Sequence, residues 1–132
     1  MKSRTARVIV KSHFEAAHTM PGYPVGHPNS RLHGHSYEVA LCVEGDIRGV
    51  QNYVAEFSEL HRVLETVCRK LDHQNLNDFL EAPSGEALAW WIADRVLEPL
   101  KDMNLQCVWV RVMRPTIGLE IEVSPSPSLG VS

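Results

Sequence analysis

The amino-acid sequence predicts an α+β domain in which a four-stranded antiparallel sheet carries two helices on one of its faces. Alternating apolar and polar residues indicate strands near both ends of the chain, and two helical patterns lie between them. The resulting order, ββααββ, is typical of an antiparallel sheet with its helices on one side. At 132 residues, the length favours a single domain with one hydrophobic core.

The two N-terminal strands are predicted over residues 6–15 and 33–45. A loop over residues 20–30 joins them, because that stretch holds three prolines and two glycines. We also expect a returning strand over about residues 50–57, which would form an antiparallel hairpin. The residues predicted to share one face are Val8, Val10, Ser12 and Phe14 in the first strand and His33, His35, Tyr37, Val39, Leu41 and Val43 in the second.

Two helices and a closing pair of strands follow. Apolar residues recur at i, i+3, i+4, i+7, i+8 and i+11 from Leu60 to Leu71, which predicts an amphipathic helix with one buried stripe. Ser84 is the predicted N-cap of a second helix that ends near Pro99. Residues 107–114 and 119–123 then alternate as strands. The second helix is expected to bury Leu88, Trp91, Ile92 and Val96.

Composition and charge indicate an ordinary globular protein that does not bind nucleic acid. The chain is 44% hydrophobic and 22% charged, with a formal charge of −3 and no long basic run. We expect a cytoplasmic protein, because no signal peptide or membrane span is visible. Residues 124–132 have the composition of a flexible tail. An odd number of widely spaced cysteines argues against disulfides and a thiolate zinc site; they are Cys42, Cys68 and Cys107.

Three histidines form a candidate metal site. His33 and His35 are separated by one residue, so both imidazoles of a strand would point to the same face. His18, on the neighbouring strand, can complete a tripod. Three neutral imidazoles suit zinc and leave one coordination position open, which is the catalytic pattern. A cupin site, which would use Glu38 after the His-x-His pair, is disfavoured because cupin barrels need more strands and no pair of long helices.

Four stretches of the chain closely resemble the 6-pyruvoyl- and 6-carboxy-tetrahydropterin synthase family, in the family's order, between about residues 6 and 123. They are residues 14–18 (FEAAH), 26–35 (GHPNSRLHGH), 71–77 (LDHQNLN) and 83–86 (PSGE). The resemblance implies the tunnelling fold, in which domains assemble into a β-barrel, commonly as hexamers with the site at a subunit interface. It also implies zinc bound by the three histidines, and conversion of dihydroneopterin triphosphate to a side-chain-modified tetrahydropterin.

The sequence departs from this family at the expected base. Asn29 stands where the family has a cysteine that abstracts a proton together with an Asp-His pair, which here matches Asp72 and His73. An amide has no proton-accepting pKa near neutrality, so Asn29 cannot take that role. Cys42 cannot replace the missing thiol, because its odd offset from His35 places it on the opposite face of the strand.

A second departure concerns the residue that holds the pterin. Arg114, or Val112 in an alternative register, stands where the family has a glutamate that binds the guanidine-like edge of the ring. Arg114 could instead hold a carboxylate or phosphate by bidentate hydrogen bonds. Glu120 or Glu122 is a candidate for the missing acid, although both also fit a solvated strand face.

These observations favour a zinc-binding homologue of the synthases that binds a pterin-like ligand and lacks the ordinary synthase activity. One alternative is a divergent zinc-dependent lyase or isomerase with another base, for which His73, Glu15 and Glu56 are candidates. The others are a non-catalytic pterin-binding module and a synthase that remains active by another route. Candidate substrate-binding residues are Arg114, Glu15 and Glu56.

Overall fold

The computed structural model describes residues 4–126 of the chain and confirms the predicted α+β architecture. Five strands form one sheet, and two helices pack on one of its faces. The elements are β1 (Thr5–His18), β2 (His33–Asp46), α1 (Phe57–Leu71), β3 (Gln74–Asn75), α2 (Gly85–Leu100), β4 (Cys107–Arg114) and β5 (Leu119–Ser126). The strand order across the sheet is β3-β1-β2-β4-β5.

The two long N-terminal strands pair antiparallel along their whole length. Thr5 lies opposite Asp46 at one end, and His18 lies opposite His33 at the other. Residues that face each other across an antiparallel pair share a face of the sheet. The register therefore brings His18 beside His33 at the end of the sheet from which the loop of residues 19–32 leaves.

The predicted returning strand over residues 50–57 is wrong. Among these residues, only Tyr53 makes a β-bridge, an isolated one to Arg48, and α1 already begins at Phe57. Val50 is 97% exposed whereas Val54 is 4% exposed, so the two do not share a buried strand face. The carboxylate of Glu56 accepts from two backbone N–H groups of the first helical turn, which starts the helix there. The second partner of β2, beside β1, is β4 and not a strand over residues 50–57.

Two smaller differences lie at the margins of the sheet. The predicted four strands gain a fifth, β3, whose two residues run parallel to Ala16 and Ala17 and are too short to leave a periodic pattern. At the C-terminus, β5 continues to Ser126, so the first three residues of the predicted tail belong to the sheet. The rest of that tail lies outside the described residues.

Both helices begin at the predicted side-chain signals. The Ser84 hydroxyl accepts from the N–H of Ala87 at 3.1 Å and caps α2, while Pro99 occupies the last turn before the helix ends at Leu100. All six apolar residues of the predicted α1 stripe are buried: Leu60, Val63, Leu64, Val67, Cys68 and Leu71. The apolar stripe of each helix thus covers one face of the sheet.

The core lies between the helices and the inward rows of β1, β2 and β4. Phe14, Val39, Leu41 and Val110 are fully buried there. Ser12, a buried polar residue of this row, donates to the carboxylate of Glu65 on α1. The described residues contain no disulfide. None of the helices within residues 4–126 has the length and apolar character that a membrane span requires.

Within residues 4–126, no helix packs on the opposite face of the sheet, which is lined by paired charges. Lys11 lies 3.4 Å from Glu38, and Arg111 lies 2.9 Å from Glu122. Because β3 covers only two residues of β1, most of the outer edge of β1 has no strand partner within the described part of one chain.

Candidate metal centre and adjoining groove

Three histidines meet on the helix-facing side of the sheet, as the sequence predicts. One ring nitrogen from each of His18, His33 and His35 lies within 4.8 Å of the others. His18 and His33 are direct partners across β1 and β2, and His35 is opposite Ala16 two residues further along. Strand register, which follows from the pairing of two 14-residue strands, therefore builds the tripod.

For two of these rings, a backbone carbonyl determines which ring nitrogen is free to bind a metal. His18 Nδ1 lies 2.9 Å from the carbonyl oxygen of Pro83, and His33 Nδ1 lies 2.7 Å from that of Arg31. A carbonyl can only accept, so each Nδ1 carries the proton and each Nε2 presents a lone pair. These two Nε2 atoms are 3.1 Å apart, a separation that is favourable only with a proton or a cation between them.

The donor set fits zinc. Four ligands at the usual zinc–nitrogen distance in a tetrahedron lie about 3.3 Å from one another, which is close to the observed separation of the two Nε2 atoms. The cluster consists of three imidazoles. Such a tripod leaves a fourth position for water or a substrate oxygen.

Burial keeps two of the ligands neutral. It lowers the pKa of His18, and it lowers the pKa of His35 to about 4, with a further contribution from the nearby positive charge of Arg114. Neutral imidazole is the form that binds metal. The tripod is therefore ready to bind a cation at physiological pH without first losing protons from these rings.

A segment distant in sequence holds the chain that follows His18. Asn77 accepts from the N–H of Thr19 at 2.8 Å and donates to the carbonyl oxygen of Thr19 at 3.0 Å. Pro83 is buried and supplies the carbonyl that orients His18. Sequence reasoning missed these supports, although both residues lie in stretches that carry the family resemblance.

Close packing brings that carbonyl into place. A Cβ atom at Gly85 would lie 2.2 Å from Cδ1 of Ile121, so glycine allows the start of α2 to approach β5. The segment that contains Pro83 leads directly into this helix, through the capping residue Ser84.

The predicted Asp-His pair lies directly after α1 and is tied to β1. Asp72 Oδ1 accepts from the N–H of Glu15 at 2.9 Å and lies 3.1 Å from His73 Nδ1. The hydrogen bond from Glu15 lowers the pKa of Asp72, and the contact with His73 lowers it further. His73 has a positive φ of 59°, and its own N–H donates to the carbonyl oxygen of Glu15 at 2.6 Å. Asp72 thus orients an imidazole that is 80% exposed.

One member of this pair and one member of the tripod line an open groove of about 540 Å³. His73 and His35 both line it, together with Glu15 and Ser36. The Glu15 carboxylate accepts from the Ser36 hydroxyl at 2.6 Å. Glu15 lies on the sheet face opposite the tripod, because its neighbour Ala16 shares the face of His35. A metal ligand, an exposed imidazole and a carboxylate thus border one surface depression.

Two other predicted site residues, Glu56 and Asn29, do not line this groove. Glu56 caps α1, a helix of about 22 Å, at the end away from Asp72, and its hydrogen bonds to Ser58 lower its pKa. Within one chain its role is to cap a helix. Asn29 is half-buried in the short turn Pro28–Ser30; its N–H donates to His27 Nδ1, and its carbonyl oxygen accepts from the N–H of Met20.

The structure separates the two candidate positions for the pterin-binding residue. Val112 is 1% exposed and packs in the core, so it cannot contact a ligand. Arg114, at the end of β4, continues the same inward row beyond the core. The register of β2 and β4, in which Val39 lies opposite Val112, continues to place Arg114 beside Tyr37, whose ring contacts that of His35. After burial, the positive charge of Arg114 contributes to the lowered pKa of His18 and of His35.

Comparison with known proteins shows which family the chain resembles. The family model for 6-pyruvoyl tetrahydropterin synthase matches residues 7–124. A dihydroneopterin monophosphate aldolase of Pyrococcus furiosus is 36% identical over 95 residues, which are 72% of this chain and 78% of that protein. A protein of Archaeoglobus fulgidus, described as a putative 6-carboxy-5,6,7,8-tetrahydropterin synthase, is 30% identical over 76% of this chain and 83% of its own length.

Solved structures show the same fold. The 6-pyruvoyl tetrahydropterin synthase of Caenorhabditis elegans superposes with a TM-score of 0.79 at 18% identity, over 96% of this chain and 99% of that one. The Plasmodium vivax synthase gives 0.76 at 23% identity, over 93% and 99%. Two other structures of the Plasmodium vivax protein are described as catalytic-residue mutants in which a glutamate is replaced. The chain therefore belongs to the 6-pyruvoyl tetrahydropterin synthase family, with its tunnelling fold.

Proposed function

We propose that the protein is a zinc-dependent lyase that cleaves the side chain of a dihydroneopterin-type pterin between two carbons, as an aldolase does. The proposal rests on the Nε2 atoms of His18 and His33, which lie 3.1 Å apart. Because backbone carbonyls accept from both Nδ1 atoms, both Nε2 atoms carry a lone pair and point to the same place. Support comes from the relative named dihydroneopterin monophosphate aldolase.

Zinc is the proposed metal, held by His18, His33 and His35. When bound, it supplies Lewis-acid chemistry, which makes a coordinated hydroxyl group more acidic. The protein's own residues must then bind the pterin and move the protons.

The amide at position 29 favours cleavage over the synthase reaction. A synthase must remove a proton from carbon, which needs a strong base at a fixed place, and Asn29 cannot be that base. Aldol-type cleavage instead begins with the loss of a proton from a hydroxyl oxygen. An imidazole with a pKa near neutrality can accept such a proton.

We assign this proton transfer to His73, oriented by Asp72. His73 takes the proton from the 2′-hydroxyl, and the bond between carbons 1′ and 2′ breaks. The electron pair of that bond forms a double bond between carbon 1′ and the adjoining ring carbon, the electron pair of the ring C=N bond moves onto nitrogen, and an aldehyde leaves. His73 then returns the proton to carbon 1′, so that a hydroxymethyl pterin remains and the atoms balance.

A product assay tests this proposal. Zinc-loaded protein is incubated with 7,8-dihydroneopterin 3′-monophosphate and with the triphosphate, and the products are identified by mass spectrometry. We expect a hydroxymethyl dihydropterin and a phosphorylated glycolaldehyde. Replacement His73→Gln should lower the rate by roughly 100-fold or more, as expected for a lost acid-base group. His61→Gln, an exposed histidine of α1, is the matched control.

The same assay separates the alternatives. Release of triphosphate without cleavage of the carbon chain would identify a synthase-type lyase instead. Glu15 would then be the candidate base, because it lines the groove that His73 and His35 also line. A glutamate is described as a catalytic residue of the Plasmodium vivax protein, which supports the choice of a carboxylate as candidate. Pterin binding without any product would indicate a non-catalytic binding module.

We also propose that the protein assembles as a hexamer. Most of the outer edge of β1 lacks a strand partner within the described part of one chain, and β5 forms the other edge of the sheet. Pairing such edges between subunits satisfies their backbone groups and closes the barrel that the family fold implies. Assembly would also place the open groove at a subunit boundary.

A further inference from the structure

Arg114 is a cation in the row beside the histidine tripod, and the described residues provide no anion for it. Its Nε atom is buried and makes no hydrogen bond. Within residues 4–126, no carboxylate lies at ion-pair distance from its guanidinium. The residue as a whole is half-buried, and a buried donor atom without a partner calls for an explanation, which a bound ligand would supply.

The row to which Arg114 belongs explains why no internal acid reaches it. The preceding inward residues of β4, namely Val108, Val110 and Val112, are buried against the helices. The carboxylates of the neighbouring strand, Glu120 and Glu122, pair instead with Arg111, which points to the opposite face. Neither of these glutamates is therefore available as an acid near the tripod.

Arg114 is a charged side chain that affects the tripod. After burial, its positive charge helps to lower the pKa of His18 and of His35, and the histidine cluster of the described residues includes no carboxylate. A divalent metal there would add to this positive charge. The surroundings of the tripod thus favour a ligand with a strongly negative group.

We infer that Arg114 binds the phosphate of the substrate's side chain and thereby selects phosphorylated over unphosphorylated dihydroneopterin. This inference rests on the proposed function, because it assumes a pterin whose side chain lies at the tripod. The guanidinium offers parallel N–H donors that match two phosphate oxygens, and a phosphomonoester carries more charge than a carboxylate. Position 114 would thus recognise the end of the side chain and not the ring.

Binding measurements test the inference independently of turnover. Isothermal titration of zinc-loaded protein with 7,8-dihydroneopterin 3′-monophosphate and with 7,8-dihydroneopterin gives the ratio of the two Kd values. We expect wild type to prefer the phosphate by roughly 10- to 100-fold, as charge-assisted bidentate contacts do. Arg114→Gln should bring this ratio near one while the Kd of 7,8-dihydroneopterin changes less than threefold.

Two further variants sharpen the test. Arg114→Lys keeps the charge without the planar donors and should retain part of the preference, provided that thermal unfolding and zinc content match wild type. Arg111→Gln removes a cation from the same strand on the opposite face and should leave the ratio unchanged.

The possible outcomes separate this inference from the proposed function. Equal Kd values for the two ligands in wild type, or an undiminished ratio in Arg114→Gln, would overturn the inference and leave the lyase proposal standing. A strong phosphate preference without any cleavage product would reject the lyase reaction and keep the role of Arg114. If neither ligand binds to wild type, both the inference about Arg114 and the lyase proposal are wrong.

Discussion

At the scale of single residues, two backbone carbonyls decide the chemistry of the tripod. Pro83 and Arg31 accept from Nδ1 of His18 and His33, so neither ring can turn its lone pair away from the shared point. Imidazoles fixed in this way bind metal more tightly than free ones, because the correct tautomer and orientation are already present.

We predict about one zinc per chain. Replacement of His33 and His35 together by alanine should abolish binding, because one imidazole cannot replace a three-nitrogen site. Elemental analysis after removal of metal by chelator and reloading with zinc measures this. His61→Ala is the control, and stoichiometric zinc in the double variant would contradict the tripod.

The metal-free protein should lose stability as the pH falls below about 6.5. The pKa of His35 is about 4 in the folded chain, and that of His18 is also lowered, so the unfolded chain binds protons that the folded chain does not. Stability therefore rises with pH over this range. Urea unfolding at pH 7 and pH 5 measures the free energy of unfolding. Between these pH values it should fall further in wild type than in His35→Gln, by about 1 kcal/mol once solvent screening is allowed for. An equal fall in the free energy of unfolding of both proteins would contradict the lowered pKa of His35.

At the scale of elements, the segment between α1 and α2 acts as a brace for the end of β1. It contributes the parallel strand β3, the side chain of Asn77 and the carbonyl of Pro83. These contacts join residues about 60 positions apart, so each must form through tertiary folding rather than local preference.

Asn77→Ala should weaken zinc binding by roughly 10-fold, because the chain after His18 loses both hydrogen bonds that hold Thr19. Competition with a chromophoric chelator measures the affinity. Asp78→Ala, an exposed neighbour, is the control. Unchanged affinity in Asn77→Ala would show that the Pro83 carbonyl alone positions the ring.

Sequence patterns predict the elements well where burial sets a period, as in α1 and in the histidine face of β2. They fail over residues 50–57, because the alternation there is weak and the helix cap at Glu56 prevails over it. The tripod is predictable because it needs only strand alternation and register. Its supports, Pro83 and Asn77, are not, because no local pattern reports a contact across 58 to 65 residues.

At the scale of the whole molecule, the sheet has one covered face and one face lined by charged pairs. Its long edges are open within the described part of one chain, and a polar open face lacks the apolar area that a second layer of helices would bury. Edge-to-edge pairing of subunits is the arrangement that suits both features.

Light scattering should therefore give a particle of six times the chain mass of 14.8 kDa. The hexamer should persist at micromolar concentration, because many backbone hydrogen bonds form when the edges of β1 and β5 pair. A stable monomer under these conditions would contradict the proposed hexamer. It would also contradict the proposal that the groove lies at a subunit boundary.

Under the proposed mechanism, the asparagine at position 29 has a consequence for the response of the protein to oxidants. An enzyme that relies on a cysteine base stops when that thiol is oxidised or alkylated. Here the nearest equivalents are inert, since burial raises the pKa of Cys42 and raises that of Cys68 to about 12. Zinc content and turnover should therefore survive iodoacetamide or mild peroxide, which mass spectrometry and the product assay would check. A loss of activity in step with thiol modification would contradict this. Proton transfer by His73 would make the activity independent of the redox state around the protein.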